Sequence, residues 1–204
     1  MAIATYSDLF SAIDDYTDRT YTTARKDIWI GNAEAKFNRK LTSDFRRMTS
    51  TTLTTNSSGE ATLPSGFAGL RSIVRDVVGS TPLRQVSWDA LLLLNPYEVS
   101  DDAAHYAIYG TVLKVAPIVA DSFNAIFDSK LTALSASNTT NWLLTLAPDA
   151  YLTMCLAEEA LFTREFVMAQ GLEASAYGML ADLVAMDQVA QFGNAELVLD
   201  MVTP

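Results

Sequence analysis

The side chains able to perform catalytic or metal chemistry are few in this chain of 204 residues. His105 is the single histidine and Cys155 the single cysteine, so one chain cannot build a multi-histidine metal site or an internal disulfide. Cys155 lies in an apolar helical pattern, which predicts a small buried side chain. A catalytic nucleophile would need a positioned base as well, so we expect Cys155 to be structural. His105 lies beside Tyr106 in a predicted hairpin, where we expect it to be a structural residue. We therefore expect no enzyme activity, no catalytic residue, no metal and no cofactor.

Adjacent carboxylates occur at several places, and paired carboxylates are common acid–base catalysts. Neighbouring helix residues point in different directions, however, which favours solvated or interfacial charge. Glu158 and Glu159 stand apart because they interrupt an apolar helix, where a lone charge is costly. We expect at least one of them to pair with a basic residue, on this chain or on a neighbouring subunit. The other pairs are Asp14/Asp15 and Asp101/Asp102.

Charge is distributed unevenly along the chain, whose net charge is -10. Residues 1–84 contain 11 Lys/Arg and 9 Asp/Glu, whereas residues 85–204 contain 3 and 15. The acidic second part argues against nonspecific wrapping of nucleic acid, which needs clustered Lys/Arg. Two interpretations of the one basic cluster remain open: a functional surface that contacts DNA or docks on an acidic partner, or a solvated helix end. That cluster comprises Arg39, Lys40, Arg46 and Arg47.

The hydrophobic fraction of 50% indicates a folded protein with a core. No apolar run reaches the roughly 18 residues of a membrane-spanning helix, and no signal peptide is recognisable, so we expect an intracellular protein with no membrane association.

Helical periodicity defines four segments that could position these residues. Thr5 is a predicted N-cap for a helix to about Tyr16, and a second helix spans about Thr22–Leu41. Pro148 and Asp149 open a helix within Asn138–Ala169 that is apolar on several sides, as expected of a central core helix or a subunit interface. Gly171 is predicted to end it, and a last helix runs over about 172–189.

Strand signals occupy the middle of the chain. A hairpin is predicted from Arg46–Thr54 and Glu60–Leu63 around the turn at Asn56–Gly59. A strand over Leu70–Val78, a short helix capped by Ser87, and a second hairpin around Gly110 follow. Alternation over Phe123–Asp128 suggests one more strand.

These elements predict an α+β fold: a mainly α-helical bundle of two N-terminal and two C-terminal helices with a small inserted antiparallel β-sheet. We expect one domain over residues 1–190, with helices at about 5–41 and 148–189, a β-rich insert at about 46–130, and an extended C-terminal tail over 191–204.

Short phrases spread over most of the chain carry a family resemblance, and their shared order matters more than any one of them. The phrases are Ser7-Asp8-Leu9, Ile30–Arg39, Leu63–Phe67, His105–Gly110 with Leu113 and Pro117, Leu134-Ser135, Asn141–Leu144 and Pro148–Tyr151. Together these phrases resemble the head-to-tail adaptor (head completion, or connector) proteins of tailed bacteriophages and related gene transfer elements. The segment Ile126–Ala133 departs from the family's pattern.

The resemblance implies a structural virion protein at the head–tail junction, made in the bacterial host cytoplasm and acting in viral genome packaging. Such proteins form a ring, usually dodecameric, beneath the portal, extend the DNA channel and dock a neck or tail-completion protein. The expected partners are therefore the portal, the next neck protein, sister copies, and double-stranded DNA that passes without sequence recognition. An acidic lumen would repel that DNA instead of binding it.

Two sets of residues are candidates for these contacts. The basic cluster and the apolar tail are predicted to dock on the portal or a neighbouring subunit: Arg39, Lys40, Arg46, Arg47, Leu197, Val198, Leu199 and Met201. The predicted subunit interface comprises Glu158, Glu159, Phe162, Met179, Leu183 and Met186. The alternatives are a tail-completion protein lower in the neck and a small enzyme with an unrecognised site.

Overall fold

The computed structural model describes residues 3–41, 48–95, 99 and 101–192. It confirms the α+β class, with six helices and two small sheets among these residues. The chain divides into two compact units, Met1–Arg46 with Leu131–Pro204 and Arg47–Lys130. We call them the helical unit and the β unit. The proposed division into one adaptor domain and a C-terminal tail stays a prediction.

The helical unit contains five helices in the described residues, and local sequence signals begin three of them. Thr5 caps α1 in a capping box with Asp8, as predicted, and Asn141 caps α4 by accepting from the Leu144 N–H. Pro148 occupies the first turn of α5. The helices are α1 (Tyr6–Thr17), α2 (Thr23–Lys40), α4 (Trp142–Leu146), α5 (Pro148–Phe162) and α6 (Phe166–Phe192).

Helix α5 lies at the centre of this unit. It contacts α1, α2, α4 and α6, and most of its side chains from Ala150 to Ala160 are buried. Tyr151, Met154 and Cys155 are fully inaccessible and belong to one core with Phe37 and Leu144. Of the two interpretations of this helix, the central core helix is therefore confirmed for Ala150–Ala160.

The prediction that Gly171 breaks the helix is wrong, because the break lies at Thr163–Glu165. Arg164 adopts φ +67°, its N–H donates to the Leu161 carbonyl, and the Glu165 N–H donates to the Ala160 carbonyl. This pair of bonds is a Schellman motif, which satisfies the last carbonyls of α5. Glycine usually fills the left-handed position, and an arginine there gave no signal in the sequence.

The β unit contains two sheets and one short helix in its described residues. The three-stranded antiparallel sheet has the order β1-β7-β3, and the four-stranded sheet has the order β2-β6-β5-β4, in which β4 runs parallel to β5. Ser87 caps α3, as predicted. The elements are β1 (Met48–Thr54), β2 (Glu60–Thr62), β3 (Phe67–Arg75), β4 (Arg84–Gln85), α3 (Trp88–Leu94), β5 (His105–Tyr109), β6 (Val112–Ala116) and β7 (Ser122–Ser129).

The hairpin around Gly110 and the strand β7 are confirmed, whereas the first predicted hairpin is wrong. The turn at Asn56–Gly59 does form, but β1 pairs with β7 and β2 pairs with β6, so the two strands enter different sheets. This exchange lets Leu53 and Ala61 reach one core shared by both sheets. A single inserted sheet is therefore corrected to two sheets.

The left-handed conformation of Arg164 predicts opposite effects of two substitutions at one exposed site. Arg164→Gly is expected to raise the free energy of unfolding by about 1 kcal/mol, because glycine has no Cβ penalty at positive φ. Arg164→Val is expected to lower it by about 1 kcal/mol. Urea unfolding followed by circular dichroism measures both. Gln170→Gly, inside α6, is the control and should destabilise by about 1 kcal/mol; a destabilising Arg164→Gly would contradict this account.

Candidate docking and assembly site

A buried carboxylate joins three segments of the helical unit. Glu34 of α2 accepts hydrogen bonds at Oε1 from the Leu134 N–H (2.7 Å) and the Tyr151 hydroxyl (3.0 Å). Asn141 donates to that hydroxyl over 2.7 Å. Burial raises the pKa of Glu34, and it also raises the pKa of Tyr151. This cluster fixes the loop before α4 against α2 and α5.

Glu158 of α5 belongs to a second network, centred on Lys36. Lys36 Nζ lies 2.8 Å from Glu158 Oε1 and 2.9 Å from Glu173 Oε2, so one ammonium group links α2, α5 and α6. Asn32 donates to the other Glu158 oxygen over 2.9 Å. Burial alone would lower the pKa of Lys36, but the two carboxylates outweigh it and the pKa is raised. The bond to Lys36 lowers the pKa of Glu173.

Glu159 is buried as well and is held by the segment between α1 and α2. Its Oε1 accepts from the Tyr21 hydroxyl over 2.5 Å and lies 3.8 Å from an Arg19 guanidinium nitrogen. The expectation that at least one of Glu158 and Glu159 pairs with a basic residue is therefore confirmed. The partners are in the same chain, and a role for these carboxylates in a subunit interface stays a prediction.

Large apolar side chains are exposed where α5 ends and α6 begins. Val167 is 87% exposed and Phe166 60%, although a buried core lies one turn away. The Arg25 guanidinium stacks 4.2 Å from the Phe162 ring centre, which covers one side of that ring. Exposed apolar patches are typical of interaction surfaces. We call it the apolar corner, comprising Leu161, Phe162, Phe166, Val167 and Met168.

The other predicted interface residues lie in different environments. Phe162 is part of the apolar corner, and Met186 is 67% exposed near the end of α6. Met179 and Leu183 are partly buried and pack against the core of the helical unit. The predicted stripe on α6 therefore faces inward over part of its length, and its assignment to an interface stays a prediction.

A second exposed apolar surface lies on the β unit and was not predicted. Only Leu91 of the four consecutive leucines in α3 is buried, and Leu93 is 80% exposed. Trp88 stacks on the exposed Tyr109 with ring centres 5.5 Å apart. The signal was in the sequence, since a seven-residue helix cannot turn four successive leucines inward. We call this surface the leucine face, comprising Trp88, Leu92, Leu93, Leu94, Val99 and Tyr109.

The predicted docking residues are described in part. Arg39 and Lys40 are exposed at the end of α2, and Lys40 Nζ lies 5.0 Å from the Tyr177 ring centre. The assignment of this cluster to a docking surface stays a prediction. The other members lie outside the described residues: Arg46, Arg47, Leu197, Val198, Leu199 and Met201.

The residues considered for chemistry take structural positions. Cys155 is fully buried, and burial raises the pKa of its thiol. His105 lies in β5, as expected of a hairpin residue. Asp14 lies 2.6 Å from Lys26, and Asp102 pairs with Arg75. Within the described ranges no group of three or more His, Cys, Asp or Glu side chains is placed to hold a metal ion. Among the described helices, none has the length and apolar character needed to cross a bilayer.

Comparison with known families defines the class of protein. The family model for the SU10 adaptor protein matches residues 4–196, nearly the whole chain. The chain therefore belongs to the SU10 adaptor protein family, a phage head–tail adaptor-type family of structural proteins. Membership supports a virion component. A search of curated proteins finds no match.

The two carboxylate networks predict opposite pH dependences. Glu34 has a raised pKa in the folded state, so its contribution to stability is present below its ordinary pKa of 4.5 and is lost as pH rises through the folded-state value. The stability of the wild type relative to Glu34→Gln should therefore fall as pH rises above 4.5. Glu173 has a lowered pKa, so the stability of the wild type relative to Glu173→Gln should fall as pH drops below 4.5.

Urea unfolding of the three proteins over a pH series measures these differences, and each variant serves as the control for the other. If the two stability differences changed with pH in the same direction, the result would contradict the assignment of a desolvated carboxyl to Glu34 and an ion-paired carboxylate to Glu173.

Proposed function

We propose that this chain is a ring-forming adaptor of the phage neck: copies assemble beneath the portal, complete the filled head, continue the DNA channel and present a platform for the next neck or tail protein. The observation that carries the proposal is the apolar corner, exposed on a chain that belongs to an adaptor family. Exposed Phe and Val side chains at the end of the core helix α5 and the start of α6 are typical of a surface that another protein covers.

The charge distribution supports the same role. Residues 85–204 carry 3 basic and 15 acidic side chains, which disfavours tight binding to DNA phosphates. A channel through which DNA slides must repel more than it holds, because each neutralised phosphate adds affinity. Passage without sequence recognition follows from this charge balance.

The proposed function is structural because the reactive side chains are buried or bonded to other parts of the fold. The Cys155 thiol is inaccessible, and the buried carboxylates of Glu34 and Glu158 bond to Tyr, Lys and backbone groups that hold helices together. These hydrogen bonds and ion pairs give the buried carboxylates a structural role.

Binding to the portal is the decisive measurement. Purified chain mixed with the portal ring of the same phage is expected to co-elute with it in size-exclusion chromatography, and negative-stain images should show an added ring layer. A portal from an unrelated phage is the control. A chain that ignores its own portal but binds a tail protein would contradict the proposal and favour a tail-completion role.

A further inference from the structure

We propose that neighbouring copies join head to tail, with the apolar corner of one copy seated on the leucine face of the next. This inference rests on the proposed function, because it names the two surfaces through which the ring closes. A ring requires a heterologous contact, in which one face of a subunit complements a different face of its neighbour. Within the part of the chain that the structure describes, the apolar corner lies on the helical unit and the leucine face on the β unit.

The apolar corner has protruding side chains, and the leucine face lies beside an apolar groove that could receive them. The corner projects large side chains, with Val167 87%, Phe166 60% and Met168 54% exposed. The leucine face adjoins a groove of about 320 Å³, whose lining includes Leu91, Leu92 and Ile118. A groove of this size accepts one or two apolar side chains, and aromatic anchors seated in such grooves dominate interface energies.

The charges at the two rims are of opposite sign. At the corner, the Arg25 guanidinium stacks on Phe162, and Arg164 lies beside Phe166, against one exposed carboxylate, Glu165. At the leucine face, Asp89 is exposed one helical turn before Leu93. Complementary rims favour this pairing over two like faces meeting.

A second acidic group borders the leucine face near Val99. The Asp101 N–H donates to the Ile118 carbonyl, which places this exposed aspartate next to the groove. Lys114, a cation among the described residues of the groove lining, is mostly buried, with a side chain 12% exposed. The described charged side chains exposed beside the leucine face, Asp89 and Asp101, are therefore acidic. A second copy fits this surface because its corner brings apolar side chains bordered by guanidinium groups.

Two half-blocked chains test the pairing. Val167→Asp blocks the corner, and Leu93→Asp blocks the leucine face; both side chains are mostly exposed, so neither change disturbs a core. Each variant alone is expected to bind other copies of itself with an affinity lowered roughly tenfold or more. The comparison is made under the condition in which the wild type forms rings, with portal added if the ring requires it. Val78→Asp, at an exposed turn residue of the β unit, is the control and should assemble like the wild type.

Mixing the two variants gives the discriminating result. The intact corner of the Leu93→Asp chain meets the intact leucine face of the Val167→Asp chain, so native mass spectrometry should show pairs of one copy each and no larger species. Pairs that fail to appear while the wild type forms rings would overturn the inference. So would either variant assembling alone like the wild type, which would mean that like faces meet or that the blocked face is not used.

The outcomes separate this inference from the proposed function. A wild-type chain that binds the portal and forms rings, while the mixed variants stay single, leaves the adaptor role standing and removes the face pairing. If Leu93→Asp abolishes retention on the portal but keeps chain–chain contacts, the leucine face belongs to the portal and the pairing is wrong. A wild type that neither binds portal nor forms rings removes both.

Discussion

The burial of α5 is the constraint on which the helical unit depends. A helix surrounded by protein on most sides can carry Glu158 and Glu159 only if each carboxylate is bonded, because an unpaired buried charge costs about 3–5 kcal/mol. Lys36 and Tyr21 meet that requirement, and Lys36 also reaches Glu173 on α6. The need to satisfy two charges on one buried helix thus fixes α2, the segment after α1, and α6 around it.

The same arrangement explains why apolar side chains remain outside. The core of the helical unit is complete with Tyr151, Met154 and Cys155 at its centre, yet the chain must reverse at Arg164 to bring Glu173 back to Lys36. The reversal places Phe162, on the last turn of α5, and the first turn of α6 at the edge of the core. Exposure of the apolar corner is therefore a consequence of closing the network.

Much of the fold could be predicted because the signals are local. The caps at Thr5 and Ser87, the proline that opens α5, and the alternation of β7 each act within one turn or one strand. The exchange of β1 and β2 between sheets could not be predicted, because strand pairing depends on which distant partner completes the shared core. The end of α5 was missed because its left-handed residue is an arginine, which has no preference for that conformation.

Sequence alone determined the starts of α1, α2, α3 and α5, the hairpin at Gly110, the need for partners at Glu158 and Glu159, and the family resemblance, because each depends on the types and spacing of nearby residues. Tertiary structure decided which cations pair with those carboxylates, since Lys36 and Arg19 lie more than a hundred residues away in the chain. It also decided which apolar side chains stay exposed. Leucines of one helix turn are equivalent in the sequence, and only packing against β5 and β6 buries Leu91 and leaves Leu93 outside.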